Sequence, residues 1–206
     1  MVMMKNLLKI VLGLVLGSVL VGCDNSPSSE TPADKKIIQA ANHSVVQIKT
    51  NQGDIWVELY DDITPNTVAN FIHYVEEDFY KDTVIHQVLP GFIIQAGSYD
   101  KEFQQKAVHA PISNEATIAP KHTRGTIAMM RGNHPDSATS EFFINLKDNA
   151  LFDIHNGYAV FGRVIKGMEV LDKISKFDTC AQEPFYDDVP CDLVVIHKVI
   201  EMGTSS

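Results

Sequence analysis

Few side chains in this sequence are arranged for covalent or metal chemistry. Ser137, Asp153 and His155 are the residue types of a hydrolytic triad, but no strained turn surrounds Ser137 to expose it as a nucleophile. His122, His134 and His155 are metal-ligating types with no tight ligand spacing between them, so no metal is expected. The eight histidines read as solvated surface residues. Asp61-Asp62 and Asp187-Asp188 read as surface charges, and Phe92, Phe143 and Phe152, taken alone, read as core.

The elements that must position these residues are mostly short strands. Val45 to Lys49 and Asp54 to Leu59 alternate in the β manner, and Asn51-Gln52-Gly53 between them makes a hairpin. Thr64 followed by Pro65 starts a helix, with Thr as cap and Pro at the first helical position. Val68, Phe71, Ile72 and Val75 recur at helical spacing to about Glu77. Val84 to Leu89, Phe92 to Gln95, Gly125 to Met130, Glu141 to Leu146, Tyr158 to Ile165 and Leu193 to Glu201 read as further strands, and Met168 to Ser175 as a second helix. The polar stretch Gly97 to Arg124 lacks periodicity, and loops of that length are often functional. Many strands with two separated helices predict a β-barrel or sandwich with helical caps.

Several long stretches then match one family in order and spacing. Phe79-Tyr80-Lys81-Asp82-Thr83-Val84-Ile85-His86-Gln87-Val88-Leu89-Pro90-Gly91-Phe92-Ile93-Ile94-Gln95-Ala96-Gly97 resembles the pattern FYxxTxFHRVIPGFMIQGG. Asn114-Glu115-Ala116, Thr123 to Met129, Asp136 to Asn145 and Gly157 to Gly162 continue the match, which runs from about Val45 to Glu201. The pattern is similar to that of cyclophilin-type peptidyl-prolyl isomerases, especially bacterial periplasmic ones. The resemblance implies a closed eight-stranded antiparallel β-barrel capped by two α-helices, with a peptide groove on its outer face and no cofactor.

Rotation about an X–Pro bond takes tens to hundreds of seconds unaided, because amide resonance stiffens the C–N bond. A catalyst must bind the twisted amide better than either planar form, which a donor aimed at the prolyl nitrogen achieves. By the resemblance, Phe92, Ile93, Phe143 and Phe152 form the proline pocket, with Tyr158 at its edge. Gln95 supports peptide and donor, Met130, Arg131 and Gly132 pair with the peptide backbone, and Leu151 stands at the groove edge. Two positions depart from the family pattern. Gln87 occupies the place of the catalytic Arg, and Glu141 the place of the Gln in SQFF. A neutral donor is roughly half as strong as a charged one. Losing about 2–4 kcal/mol of twisted-state stabilisation slows turnover roughly 30- to 1,000-fold. The expectation is an isomerase of reduced turnover; the alternative is a proline-peptide binding module or holdase chaperone. By the resemblance, Arg131 is the one candidate near the groove to restore the lost charge, but its family counterpart acts through backbone, and Glu141 at the groove edge would favour basic substrates.

The beginning of the chain reads as an address. Lys5 and Lys9 precede the apolar run Ile10 to Val21, which is shorter than the roughly 20 residues of a spanning helix and reads as a signal peptide over 1–22. Leu20-Val21-Gly22-Cys23 resembles a bacterial lipobox, so Cys23 is the expected lipid attachment site, and Asp24 resembles an inner-membrane retention signal. Residues 23–42 read as a tether and 43–206 as the folded domain. Anchoring faces the periplasm, and the expected partners are proline-containing segments of exported polypeptides. Without the first 22 residues, 15 basic face 26 acidic residues, a charge of -11, which excludes nucleic acid as a partner. Export also allows a disulfide between Cys180 and Cys191, closing the Pro- and Asp-rich loop Ala181 to Pro190. A monomer is expected.

Overall fold

The structure, a computed structural model, describes residues 43–204. The signal peptide, Cys23 and the tether lie outside the described residues. The elements run β1 (Ser44–Thr50), β2 (Gly53–Leu59), α1 (Pro65–Glu76), β3 (Thr83–Leu89), β4 (Ile93–Asp100), β5 (Thr126–Met129), β6 (Phe142–Asn145), a 3-10 turn (Ala150–Asp153), β7 (Val160–Lys166), α2 (Met168–Ile174), β8 (Thr179–Gln182), β9 (Phe185–Pro190) and β10 (Val195–Thr204). Eight strands close into a barrel in the order β1-β10-β3-β4-β6-β5-β7-β2, and β8 and β9 form a separate two-stranded sheet. Every neighbouring pair in the barrel is antiparallel.

Alternation along the strands sorts side chains between two sides of the wall. Val46, Ile48, Ile55, Val57, Leu59, Ile94, Ile127, Met129, Phe142 and Ile144 join the main core. The residues between them, Ile93, Ala128, Phe143 and Val160, form a second apolar cluster on the other side. Phe71 of α1 packs against Tyr80, Phe142 and Phe161, with ring centroids 5.1 to 5.7 Å apart, so the helix is held by buried aromatic area.

β3 breaks the alternation. Ile85 and Val88 both enter the main core although they are three residues apart. A register shift between Ile85 and Gln87 absorbs the extra residue. Such a bulge places two consecutive side chains, His86 and Gln87, away from the core.

Three local expectations are corrected. The segment Ala181 to Pro190 is not a loop: β8 and β9 pair through Cys180 with Val189 and Gln182 with Phe185. Cys180 and Cys191 are joined by a disulfide, with Cα atoms 5.1 Å apart, which clamps the ends of this hairpin. Thr64 does not cap α1 with its side chain. Glu115 does so instead, accepting hydrogen bonds from the Asn66 N–H at 3.2 Å, the Thr67 N–H at 2.8 Å and the Thr67 hydroxyl at 2.6 Å. The strand expected at Phe92 to Gln95 continues to Asp100, so Gly97 to Asp100 belongs to the barrel rather than to the long loop.

Candidate functional site

Across β3, β4, β6, β5 and β7, a ladder of facing residues runs Gln87, Gln95, Phe143, Ala128 and, one bulge away, Val160. Gln87 and Phe143 therefore share one side of the barrel wall, with Gln95 between them. The structure brings the expected groove residues together as an aromatic half and a polar half along this ladder.

The aromatic half centres on Phe143, which is 1% exposed. Phe152 lies 5.2 Å from it and Tyr158 5.4 Å, both edge-on, and Phe92 lies 5.2 Å from Phe152. Ile93 is buried in the same cluster, while Phe92, Met130, Phe152 and Tyr158 are half-buried and form its accessible part. Leu151 projects from the neighbouring 3-10 turn, 78% exposed. Gly157 permits this crowding. A Cβ there would lie 2.0 Å from the Phe152 carbonyl oxygen, so only glycine lets the chain close back on the turn.

His122 supports the cluster and, unlike a solvated surface histidine, is buried. It is 2% exposed, stacked on Phe143 at 5.7 Å. Its Nε2 faces the Tyr158 carbonyl at 2.9 Å and its Nδ1 faces the Asn145 amide nitrogen at 3.1 Å. Nε2–H therefore donates and Nδ1 accepts, as in a neutral imidazole. Burial lowers the His122 pKa, and the Tyr158 hydrogen bond only partly opposes this. Its position directly before the matched Thr123-Arg124-Gly125 stretch was the available signal.

The polar half is built on Glu141. Its Oε1 accepts from Gln95 at 2.5 Å and lies 2.9 Å from His86 Nε2, and its Oε2 accepts from the Ser98 hydroxyl at 3.2 Å. Burial pushes the Glu141 carboxyl up, but His86, Gln95 and Ser98 together outweigh burial and hold it below the usual range. Both oxygens are thus engaged within the wall, contrary to a bare acidic edge. Gly97 makes this approach possible: at φ +102° its missing Cβ would meet the Ser140 carbonyl oxygen at 2.7 Å. His86 itself is 1% exposed, stacked 4.9 Å from Phe185 of β9 and edge-on 4.8 Å from Tyr99.

Gln87 is half-buried beside this wall. Its amide donates to Asp188 Oδ2 of β9 at 3.0 Å. Asp188 is therefore a site neighbour rather than a plain surface charge. Arg131 does not supply the missing cation to Gln87. Its guanidinium bonds the carbonyls of Gly157 at 2.9 Å, Gly132 at 3.0 Å and Asn156 at 3.1 Å, and lies over the Tyr158 ring at 5.0 Å. A cavity of about 310 Å³ adjoins, lined by Gln95, Met130, Arg131, Gly132 and Glu141 with Gln105, Ser137 and Thr139. The triad types are occupied elsewhere. The Ser137 hydroxyl donates to the His134 carbonyl at 2.5 Å and accepts the Gly132 N–H at 2.9 Å, and Asp153 accepts the His122 N–H at 3.1 Å.

A family model for cyclophilin type peptidyl-prolyl cis-trans isomerase/CLD matches residues 45–200. The chain belongs to this family. A peptidyl-prolyl cis-trans isomerase of Acinetobacter baylyi is 48% identical over 143 residues, covering 68% of this chain and 76% of the relative. Peptidyl-prolyl cis-trans isomerase B of Escherichia coli is 43% identical over 161 residues, covering 75% of this chain and 98% of the relative. Among solved structures, a cyclophilin type isomerase of Cryptosporidium parvum in the presence of the dipeptide Ala-Pro is similar, with TM-score 0.59 and 26% identity over 76% of this chain and 98% of that one. The cyclophilin barrel, closed by eight antiparallel strands with two helices, is thus the frame on which Gln87 and Glu141 are mounted.

Proposed function

We propose that this cyclophilin isomerises X–Pro bonds in exported polypeptides with reduced turnover, its domain carried on a lipid at Cys23 at the periplasmic face of a bacterial membrane. The observation that supports reduced turnover is the Gln87 amide at 3.0 Å from Asp188. The prolyl ring packs against the aromatic half, and the polar half aligns the chain beside it. A donor is then needed for the prolyl nitrogen as it becomes pyramidal. Gln87 offers a neutral amide, one of whose two N–H groups is held by Asp188, which fixes the direction of the other, whereas a guanidinium would bring a positive charge and more N–H groups than one acceptor can occupy. Preorganised charge is usually the largest part of such catalysis.

Proline-peptide binding without useful turnover is a second reading, favoured by the same Gln87–Asp188 contact. Steady-state kinetics on a short proline-containing peptide separates the two. Reduced turnover requires a measurable kcat/KM above background that Gln87→Arg raises roughly 30- to 1,000-fold, with little change in peptide affinity. A wild-type rate indistinguishable from background, with peptide still bound, establishes the binding module. No gain in Gln87→Arg removes Gln87 from the donor role. For the anchor, growth with radiolabelled palmitate labels the wild-type chain and spares Cys23→Ser; label on neither refutes lipidation.

A further inference from the structure

Away from the groove, the last turn of α1 and the long loop after β4 bring three metal-ligating side chains together. His73 and Glu77 are four residues apart, so helical geometry sets them on one side. His109 arrives from the loop. His109 Nε2 lies 2.7 Å from Glu77 Oε2, and His73 Nε2 lies 3.5 Å from Glu77 Oε1. One atom from each of the three lies within 4.8 Å of the others.

The arrangement is anchored rather than incidental to a loose loop. The His109 backbone N–H donates to the hydroxyl of Tyr74 at 2.9 Å, and Tyr74 is 0% exposed in the core. The His109 ring packs 5.1 Å from Tyr74 and 4.8 Å from His73. A buried tyrosine thus fixes the loop histidine, and the helix fixes its two partners.

We infer that His73, Glu77 and His109 form a binding site for a zinc-like divalent transition metal. Two imidazole nitrogens and a carboxylate oxygen are a donor set suited to zinc, copper or nickel, and poorly suited to magnesium or calcium, which take oxygen ligands. Tetrahedral zinc with bonds of about 2.0–2.2 Å holds its ligand atoms roughly 3.3–3.5 Å apart. The three side chains, each about half exposed, close to that spacing by side-chain rotation alone. Exposure leaves the fourth position to water. The ion acts as a clip between α1 and the loop. That loop also carries Gln105 into the groove cavity, four residues before His109, so the clip steadies one wall of the groove without touching the reacting amide.

Calorimetric titration of the full chain with Zn²⁺ tests the site. One ion binds per chain, and Mg²⁺ gives no heat. Because loss of supporting residues alone costs metal sites about 10–100-fold, each of His73→Ala, Glu77→Gln and His109→Ala weakens Zn²⁺ binding at least about tenfold. His134→Ala, elsewhere on the surface, leaves it unchanged. At Zn²⁺ about one hundredfold above the wild-type Kd, wild-type Tm rises by roughly 5–10 °C and the variants' Tm rises by at least about 3 °C less. The Tm of each variant without metal shows that it is folded. Absence of binding up to about 1 mM Zn²⁺, or binding undiminished in all three variants, overturns the assignment.

Discussion

Asp188→Ala isolates the contact that distinguishes this site. In the folded protein the Gln87 amide donates to Asp188 Oδ2 at 3.0 Å. A neutral donor bonded to a carboxylate is worth about 1.5–3 kcal/mol when water is excluded. Both groups are half-exposed here, so solvent reduces the difference to about 1 kcal/mol. If the bond to Asp188 holds the Gln87 amide turned away from the prolyl nitrogen, removing the acceptor lowers the barrier by that amount, and kcat/KM rises about fivefold. Protease-coupled kinetics on a short X–Pro peptide gives the rate, and fluorescence titration gives peptide affinity, which stays near the wild-type value. The same substitution in a Gln87→Leu background changes nothing, because no donor is left to release. An equal gain in that background means the hairpin acts through something other than Gln87. A fall in the single variant, with Tm preserved, refutes the account of Asp188 as a competing acceptor.

Phe143→Ala removes a ring that is 1% exposed at the centre of the aromatic half. It lowers unfolding free energy by about 3–5 kcal/mol in urea titration and abolishes peptide binding. Replacing Cys180 and Cys191 together by Ser opens a loop with a sequence separation of 11, at a cost of about 2–3 kcal/mol. Faster hydrogen exchange over 179–190 locates that loss in the hairpin. Stability also falls with acid in two stages. The pKa of His122 lies below its unfolded value of about 6.5, so its contribution is complete above that pH and is lost as pH falls through the lower folded value. Glu141, likewise depressed, contributes fully above its ordinary value near 4.5 and loses that contribution as pH falls through its folded value. Urea midpoints at about pH 7, 5.5 and 4 follow both stages, and His122→Phe removes the first.

Much of the frame was legible because the signals are local. The β3 strand read as Val84 to Leu89 runs from Thr83 to Leu89, and the helix read from Pro65 to about Glu77 ends at Glu76. Buried strands alternate, and turn residues mark their ends. The β8–β9 hairpin escaped because Cys180 to Pro184 are exposed, which leaves no apolar alternation to read. The helix cap was assigned to Thr64 because capping residues are sought next to the helix, whereas Glu115 reaches it from 48 residues away.

Residue types and their order along the chain determined most strands, the two helices and the motif positions, since each depends on neighbours within a few residues; the local pattern left barrel and sandwich open, and only the resemblance implied a closed barrel. Which polar atoms meet was decided only by closing the barrel. Gln87 and Asp188 are 101 residues apart, and His86 and Glu141 are 55 apart. Hydrogen bonds need partners placed to within a few tenths of an ångström, and a strand pattern carries no such distance. The bulge at His86-Gln87 and the missing Cβ of Gly97 set those distances, by letting two side chains leave the core together and two strands approach closely.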